Sequence, residues 1–204
     1  MTKGKKKEKL DLTTEEKIKK AALKLFTKKG FSATRTRDIS EEAGINLALL
    51  NYYYRSKEKL FHQIITEKVQ QIFGVLFPIM NNEALSLDEK IDLMVVNYID
   101  LLNRNPDLPL FILSELKNHP QLFEGKVGIN QIGDSSFVKQ LRERRPDINP
   151  IQFMISLLGL TIFPFVGKPM IFATQMASPE IFDGLMEQRK VLIPKWIKAI
   201  LDCK

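Results

Sequence analysis

The side chains best suited to hold a nucleic acid gather between Thr34 and Lys57. Thr34, Arg35, Thr36 and Arg37 put hydroxyls and guanidinium groups ahead of one short amphipathic stretch. Asn46, Leu47, Ala48, Asn51 and Tyr52 fall on one side of a second, and Tyr53 and Lys57 follow close behind. Hydroxyls, basic side chains and helix N-termini are the groups that position a protein on phosphates. Asn46, Asn51 and Arg37 carry hydrogen-bonding groups for base edges, and Leu47 and Ala48 can meet a thymine methyl. Tyr53 can serve either as a phosphate contact or as core, and Arg35 can be a solvated loop charge.

No comparable set exists for catalysis. His62 and His119 are the two histidines and Cys203 is the single cysteine, which leaves no disulfide, no cysteine-based metal site and no nucleophile paired with a base. Both histidines read as structural or surface residues. The expectation is a protein that is not an enzyme and holds neither cofactor nor metal.

The elements that must present these residues can be read from periodicity and punctuation. Ile18, Ala21, Ala22, Leu25 and Phe26 form one helical face. Thr13 with Glu16 gives a capping-box pattern at its start and Gly30 a stop at its end, so helix one is expected over 14–29. Thr36, Ile39 and Ala43 suggest a short second helix closed by Gly44. Asn46 can cap a third that turns Leu50 and Tyr53 inward. A short helix, a tight glycine-containing turn and another short helix make a helix-turn-helix. Ser56 can cap a long fourth helix through Phe73. Further helices are expected at 87–104, 108–117, 134–145, 150–165 and 178–201, with a glycine-rich loop over 119–133. No period-two alternation marks a strand. The most apolar stretch, 151–166, is interrupted by Gln152, Gly159 and Pro164 and falls short of the roughly 20 residues that span a membrane.

Charge is divided as sharply as the motifs. Residues 1–60 carry 16 Lys and Arg against 8 Asp and Glu, whereas residues 61–204 carry 15 against 16. A basic module on a near-neutral body is the electrostatic footprint of polyanion binding. Five lysines, Lys3, Lys5, Lys6, Lys7 and Lys9, lie in a segment expected to be a disordered tail, and excess positive charge persists without it. The expected organisation is a basic tail at 1–12, a helix-turn-helix domain at 13–56 and a helical domain at 57–204.

Several fragments stand in one register: Ile18-Lys19-Lys20-Ala21-Ala22-Leu23-Lys24-Leu25-Phe26, Lys29-Gly30-Phe31, Thr34, Asp38-Ile39-Ser40, Ala43-Gly44-Ile45 and Tyr52-Tyr53-Tyr54-Arg55-Ser56-Lys57-Glu58-Lys59-Leu60-Phe61. In this order the segment 14–61 resembles the N-terminal domain of the TetR/AcrR family of transcriptional regulators. The resemblance implies an all-α fold in which a three-helix helix-turn-helix domain is joined by a long helix to a larger ligand-binding and dimerisation domain. It also implies operator DNA as partner, with Lys57 and a tyrosine of the Tyr52-Tyr53 pair clamping the backbone. Helix three departs from the usual pattern, since many relatives carry a polar or basic residue and a small one where Leu47 and Leu49 stand.

A single helix-turn-helix makes too few contacts for tight binding, so two copies are expected to read two half-sites. Ile155, Leu158, Ile162, Ile181, Leu185, Leu192 and Trp196, in the two last apolar helices, are the expected homodimer interface, the position it takes in the family. Phe73, Phe77, Met94, Asn97, Tyr98, Phe111, Ser114, Glu115, Phe137 and Met154 are candidates for a largely apolar ligand pocket. The resemblance implies a small inducer there that tilts helix four and separates the DNA-reading heads. The protein is expected in the cytoplasm, away from membranes. Two rival readings stay open, an adaptor of the same fold without operator binding and a sequence-indifferent binder working through its basic tail.

Overall fold

A computed structural model describes residues 3–118, 120, 132–173 and 178–203, with side chains from Thr14 onward. Among the described residues there are ten α-helices and no strand. They are α1 (Lys3–Lys29), α2 (Thr36–Glu42), α3 (Leu47–Tyr54), α4 (Lys57–Asn81), α5 (Leu87–Arg104), α6 (Leu108–Asn118), α7 (Ser136–Arg144), α8 (Pro150–Val166), α9 (Lys168–Ala173) and α10 (Pro179–Asp202). The chain divides into two compact units, residues 1–68 and 69–204. The boundary thus falls within α4 and not at 56, because Leu60, Phe61, Ile64 and Ile65 are buried with the first three helices.

The caps expected at Asn46 and Ser56 form, and four further helix starts are capped by residues not singled out in the sequence. Asn46 accepts from the Leu49 N–H at 2.7 Å, and Ser86 and Glu89 form a reciprocal capping box at the start of α5. Ser135 and Ser178 cap α7 and α10, and Asn149 caps α8 ahead of Pro150 at the first helical position. At its start α1 departs from expectation. It begins at Lys3, so 3–12 is helix instead of a disordered tail and the Thr13–Glu16 box does not form. Lys, Glu and Leu are good helix formers and no proline interrupts them, so a helix already held by buried Ile18, Ala22 and Phe26 propagates backwards at little cost. The short helix α9 was missed. Most of the expected 119–133 loop, His119 included, lies outside the described residues.

The interior of the first unit is supplied by Ile18, Ala22 and Phe26 of α1, Ile39 of α2, Leu50 and Tyr54 of α3, and Leu60 and Phe61 of α4, all buried. Phe26 meets Phe61 edge-on at 5.0 Å between ring centroids. In the second unit α5 lies against α10, and Ile91, Met94, Val95, Tyr98 and Leu102 are buried with Phe137, Phe153, Phe182, Ile193 and Ile197. Lys190 pairs with Asp100 and Lys198 with Asp92, tying α10 to α5 along its exposed flank. Arg145 donates to the carbonyls of Ile200, Leu201 and Cys203, closing the C-terminal end of α10 where no helical N–H remains.

Prolines inside helices leave further carbonyls to be satisfied. Pro164 cannot donate to Leu160, four residues earlier in α8, and that carbonyl instead accepts from Arg189 Nη2 on α10 at 2.6 Å. Lys90 is wholly buried, and its ammonium group bonds Ser136 Oγ and Gln140 Oε1 on α7. Gln140 in turn donates to the Leu85 carbonyl. Burial lowers the Lys90 pKa.

Phe137 is fully buried and packs against Phe153 at 6.1 Å. Phe137→Ala should remove about 3–5 kcal/mol of stability by urea denaturation, from lost transfer energy plus the cavity left behind.

Candidate nucleic-acid interface

The surface that the sequence marked for nucleic acid is built around two left-handed glycines and one lysine. Gly30 ends α1 at φ +79° and Gly44 turns the chain between α2 and α3 at φ +66°. A Cβ at Gly44 would meet nothing within 4 Å, so the constraint there is the backbone angle alone. Lys57, the first residue of α4, donates to the carbonyls of Phe31 and Thr34, both at 2.9 Å, and stands 4.3 Å over the Phe31 ring. Phe31 and Phe61 are in contact at 4.4 Å. The loop between α1 and α2 is therefore held from below by aromatic packing and from the side by an ammonium group.

On this frame the predicted residues separate. Thr34 is fully buried, and its hydroxyl points at the Gly30 carbonyl at 2.8 Å, with that of Leu25 at 3.4 Å. It shapes the loop and is not available to a phosphate, which corrects the expectation. Lys57 gives two of its three donors to carbonyls inside the chain. Arg35 and Arg37 are exposed and Thr36 is half-buried at the start of α2. Lys29 and the Arg35 N–H hold the Asp38 carboxylate below its ordinary pKa, which fixes the N-terminal turn of α2. Asn46 commits its oxygen to capping α3 and leaves its amide donors outward. Leu47, Ala48, Asn51 and Tyr52 are exposed, Tyr52 at 79%. Leu50 is buried as expected. The inward tyrosine is Tyr54, not Tyr53, which is half-buried with its ring edge-on to Tyr52. Tyr54 donates to Glu15 at 3.2 Å, and burial, with the Glu15 carboxylate second, pushes its hydroxyl well above the ordinary tyrosine range. Arg55, at φ +53°, ends α3 and went unnoticed in the sequence.

Residues 18–64 match the family model described as bacterial regulatory proteins, tetR family. Along its length the chain is 22% identical to the "Probable HTH-type transcriptional regulator YttP" of Bacillus subtilis, covering 94% of this chain and 95% of that protein. It is 27% identical to the "HTH-type transcriptional repressor KstR2" of Mycolicibacterium smegmatis over 52% of this chain and 58% of the relative. The fold is that of a transcriptional regulator, SCO4942, from Streptomyces coelicolor, with a TM-score of 0.64 at 17% identity, covering 92% of this chain and 97% of that one. Residues 18–64 thus form a DNA-binding domain of the TetR family of bacterial regulatory proteins, and the chain as a whole has the all-α fold of such regulators. It is a DNA-binding regulator of transcription, in a family of regulators and not of enzymes. No described helix is long and apolar enough to cross a membrane, and no described group of His, Cys, Asp and Glu is set to hold a metal.

The second unit of the regulator contains a small cavity lined by Leu76, Met94, Val95, Tyr98, Leu157, Leu158 and Thr161, with room for about one water molecule. Of the ten expected pocket residues, Met94 and Tyr98 line it. Phe73 and Phe77 are half-buried and stacked on each other at 4.8 Å, Phe111, Glu115 and Phe137 are buried elsewhere, and Met154 is half-buried. Asn97 and Ser114 are exposed, on the outer faces of α5 and α6. The Asn97 amide donates to the Leu93 carbonyl at 2.7 Å, so neither is a polar contact inside this cavity. Thr161 turns its hydroxyl to the Leu157 carbonyl, and burial pushes the Tyr98 hydroxyl up to about 12.

On α8 and α10 the regulator carries a row of uncovered apolar side chains. Ile155 is 59% exposed, Ile181 50%, Leu185 39% and Trp196 42%. Leu158, Ile162 and Leu192 are half-buried along the same faces, and Leu158 also lines the cavity. Ile151, Phe163, Val191 and Ile200 are exposed on these two helices as well and were not anticipated.

Thr34 and Arg37 lie three residues apart with opposite roles. Thr34→Val, which strips a buried carbonyl of its donor, should cost about 1–3 kcal/mol in chemical denaturation. Arg37→Ala should leave stability within about 0.5 kcal/mol and act on DNA affinity alone.

Proposed function

We propose that the regulator is a homodimeric repressor that reads an inverted-repeat operator with α2 and α3 and leaves it when a small, largely apolar ligand binds the second unit. The observation that carries the reading is the division of α3. Leu50 and Tyr54 are buried, while Leu47, Ala48, Asn51 and Tyr52 stand in solvent beside the exposed Arg37. A helix fixed along one side and bare along the other can lie in a major groove about 12 Å wide. Asn51 and Arg37 supply the hydrogen bonds to base edges, and Leu47 and Ala48 the contact with thymine methyls. Arg35, Tyr52, Tyr53, the third donor of Lys57 and the N-terminus of α2 hold phosphates. A repressor needs only to occlude a promoter, and KstR2 carries that name.

The apolar rows on α8 and α10 fit an isologous dimer, in which each copy covers the other's Ile155, Ile181, Leu185 and Trp196. The cavity gives the ligand its route to the DNA surface. Leu76 lies on α4, and α4 begins at Lys57, so whatever fills the cavity acts on the helix that ties down the α1–α2 loop. The space has room for little more than a water molecule, so a ligand must push its walls apart. Opposed to this is the adaptor reading, in which α3 contacts no DNA.

Selection of bound fragments from random duplex DNA decides between them. The expected product is an inverted repeat bound at least about 10³-fold more tightly than scrambled duplex. Asn51→Ala should lower affinity by about 1–3 kcal/mol and relax the preference at one position in each half-site. Arg35→Ala should weaken binding evenly over all sequences and flatten the salt dependence. No enriched motif, with both variants binding as the parent does, would leave the adaptor reading standing.

A further inference from the structure

Arg189 is the unusual residue of the apolar faces on α8 and α10. It is half-buried on α10, beside Trp196, whose ring centre lies 5.5 Å from the guanidinium carbon. Its Nη2 donates to the Leu160 carbonyl that Pro164 leaves without a helical partner. Nε is sealed from solvent and has no acceptor, and among the described residues no carboxylate pairs with the group. Among those residues Nη1 makes no bond either, and it is not sealed. Burial lowers the pKa of the side chain, yet an arginine stays charged at any ordinary pH. A charge placed among apolar side chains is ordinarily paired, and here one carbonyl serves five N–H donors. Nε, being sealed, is out of reach of a second chain, and Nη1 is the donor left open at the surface.

The missing acceptor has to approach over the surface that carries Leu185, Leu192 and Trp196. Gln188 stands on that surface too, exposed, with a side-chain carbonyl that binds nothing among the described residues of its own chain. In a two-fold interface each copy's α10 brings both a fork in need of an oxygen and an oxygen without a donor, so the arrangement closes on itself. Arginine and tryptophan side by side at the centre of an apolar patch are also the residue types that dominate interface energetics.

We propose that Arg189 is the polar clamp of the dimer, holding the Leu160 carbonyl of its own chain with Nη2 and, with Nη1, the Gln188 side-chain oxygen of a second copy of this chain. This rests on the dimer reading given above. The clamp sets the register in which the two apolar faces meet, a task that a purely greasy surface performs poorly. It also couples the Pro164 irregularity of α8 to assembly, since the same guanidinium group serves both.

The test is dimer dissociation on dilution, followed by sedimentation with the full chain, for the parent, Arg189→Met, Gln188→Leu and the double variant. Helix content by circular dichroism is the check on folding. The comparison is repeated with Pro164→Ala, a substitution that restores a backbone N–H one turn after Leu160, satisfies the Leu160 carbonyl and removes Arg189's role within the chain. Each single variant should raise the dimer Kd at least tenfold in both backgrounds, and the double variant should be no weaker than the worse single. A change below tenfold for Arg189→Met with Pro164→Ala, or effects of the two residues that simply multiply, would overturn the clamp. A parent that stays monomeric at every concentration would overturn the dimer reading itself, which is a separate result.

Discussion

The Lys57 ammonium group, set over the Phe31 ring and bonded to the carbonyls of Phe31 and Thr34, is the interaction on which the DNA-reading edge depends. Three helices meet in it. The end of α1 reaches it through the turn at Gly30, the start of α2 through Thr34, and α4 begins there. Free carbonyls at such a corner would need a partner or water, and a lysine supplies one that also carries charge toward the same face. Removing the ammonium group would leave both carbonyls without their donor and loosen the loop. The left-handed turn at Gly44 and the Asn46 cap then set where α3 starts relative to α2, and burial of Leu50 and Tyr54 sets which side of α3 remains bare.

The second unit solves a different problem with the same means. Its helices α4, α8 and α10 each contain an internal proline, Pro78, Pro164 and Pro194, and each such residue frees a carbonyl one turn earlier. In α8 the repair comes from Arg189 across the helix pair, and the end of α10 is closed by Arg145. Arginine is used in both places because its planar fork can reach several oxygens at fixed angles. The interior around Tyr98 is packed with Leu76, Met94, Val95, Leu157 and Leu158 and leaves little empty space.

How far the fold could be read in advance depended on what kind of signal each element carried. Asn46 and Ser56 announced helix starts because capping uses a short polar side chain at one fixed position. The start of α1 was misplaced because a strong capping pattern at Thr13 and Glu16 can be overridden when the residues before it also favour helix. Thr34 looked like a phosphate contact because its type and place in a polar loop say nothing of burial, which here comes from carbonyls at Gly30 and Leu25. Tyr54 could have been preferred over Tyr53, since it lies one full turn from Leu50. The cavity was the least legible feature. Choosing aromatic and Met residues by type found Met94 and Tyr98 but took in Asn97, which faces out, and passed over Val95 and Thr161, which face in.

The central claim is that α3 lies in the major groove and reads bases. Methylation interference on a selected operator, with guanine N7 modified in turn and bound from unbound duplex separated, tests it directly. The account predicts two clusters of interfering guanines, symmetric about the operator centre and separated by one helical turn or a multiple of it. Binding that tolerates methylation at every guanine and thymine substitution at every methyl-bearing site, while still protecting the backbone, would contradict it.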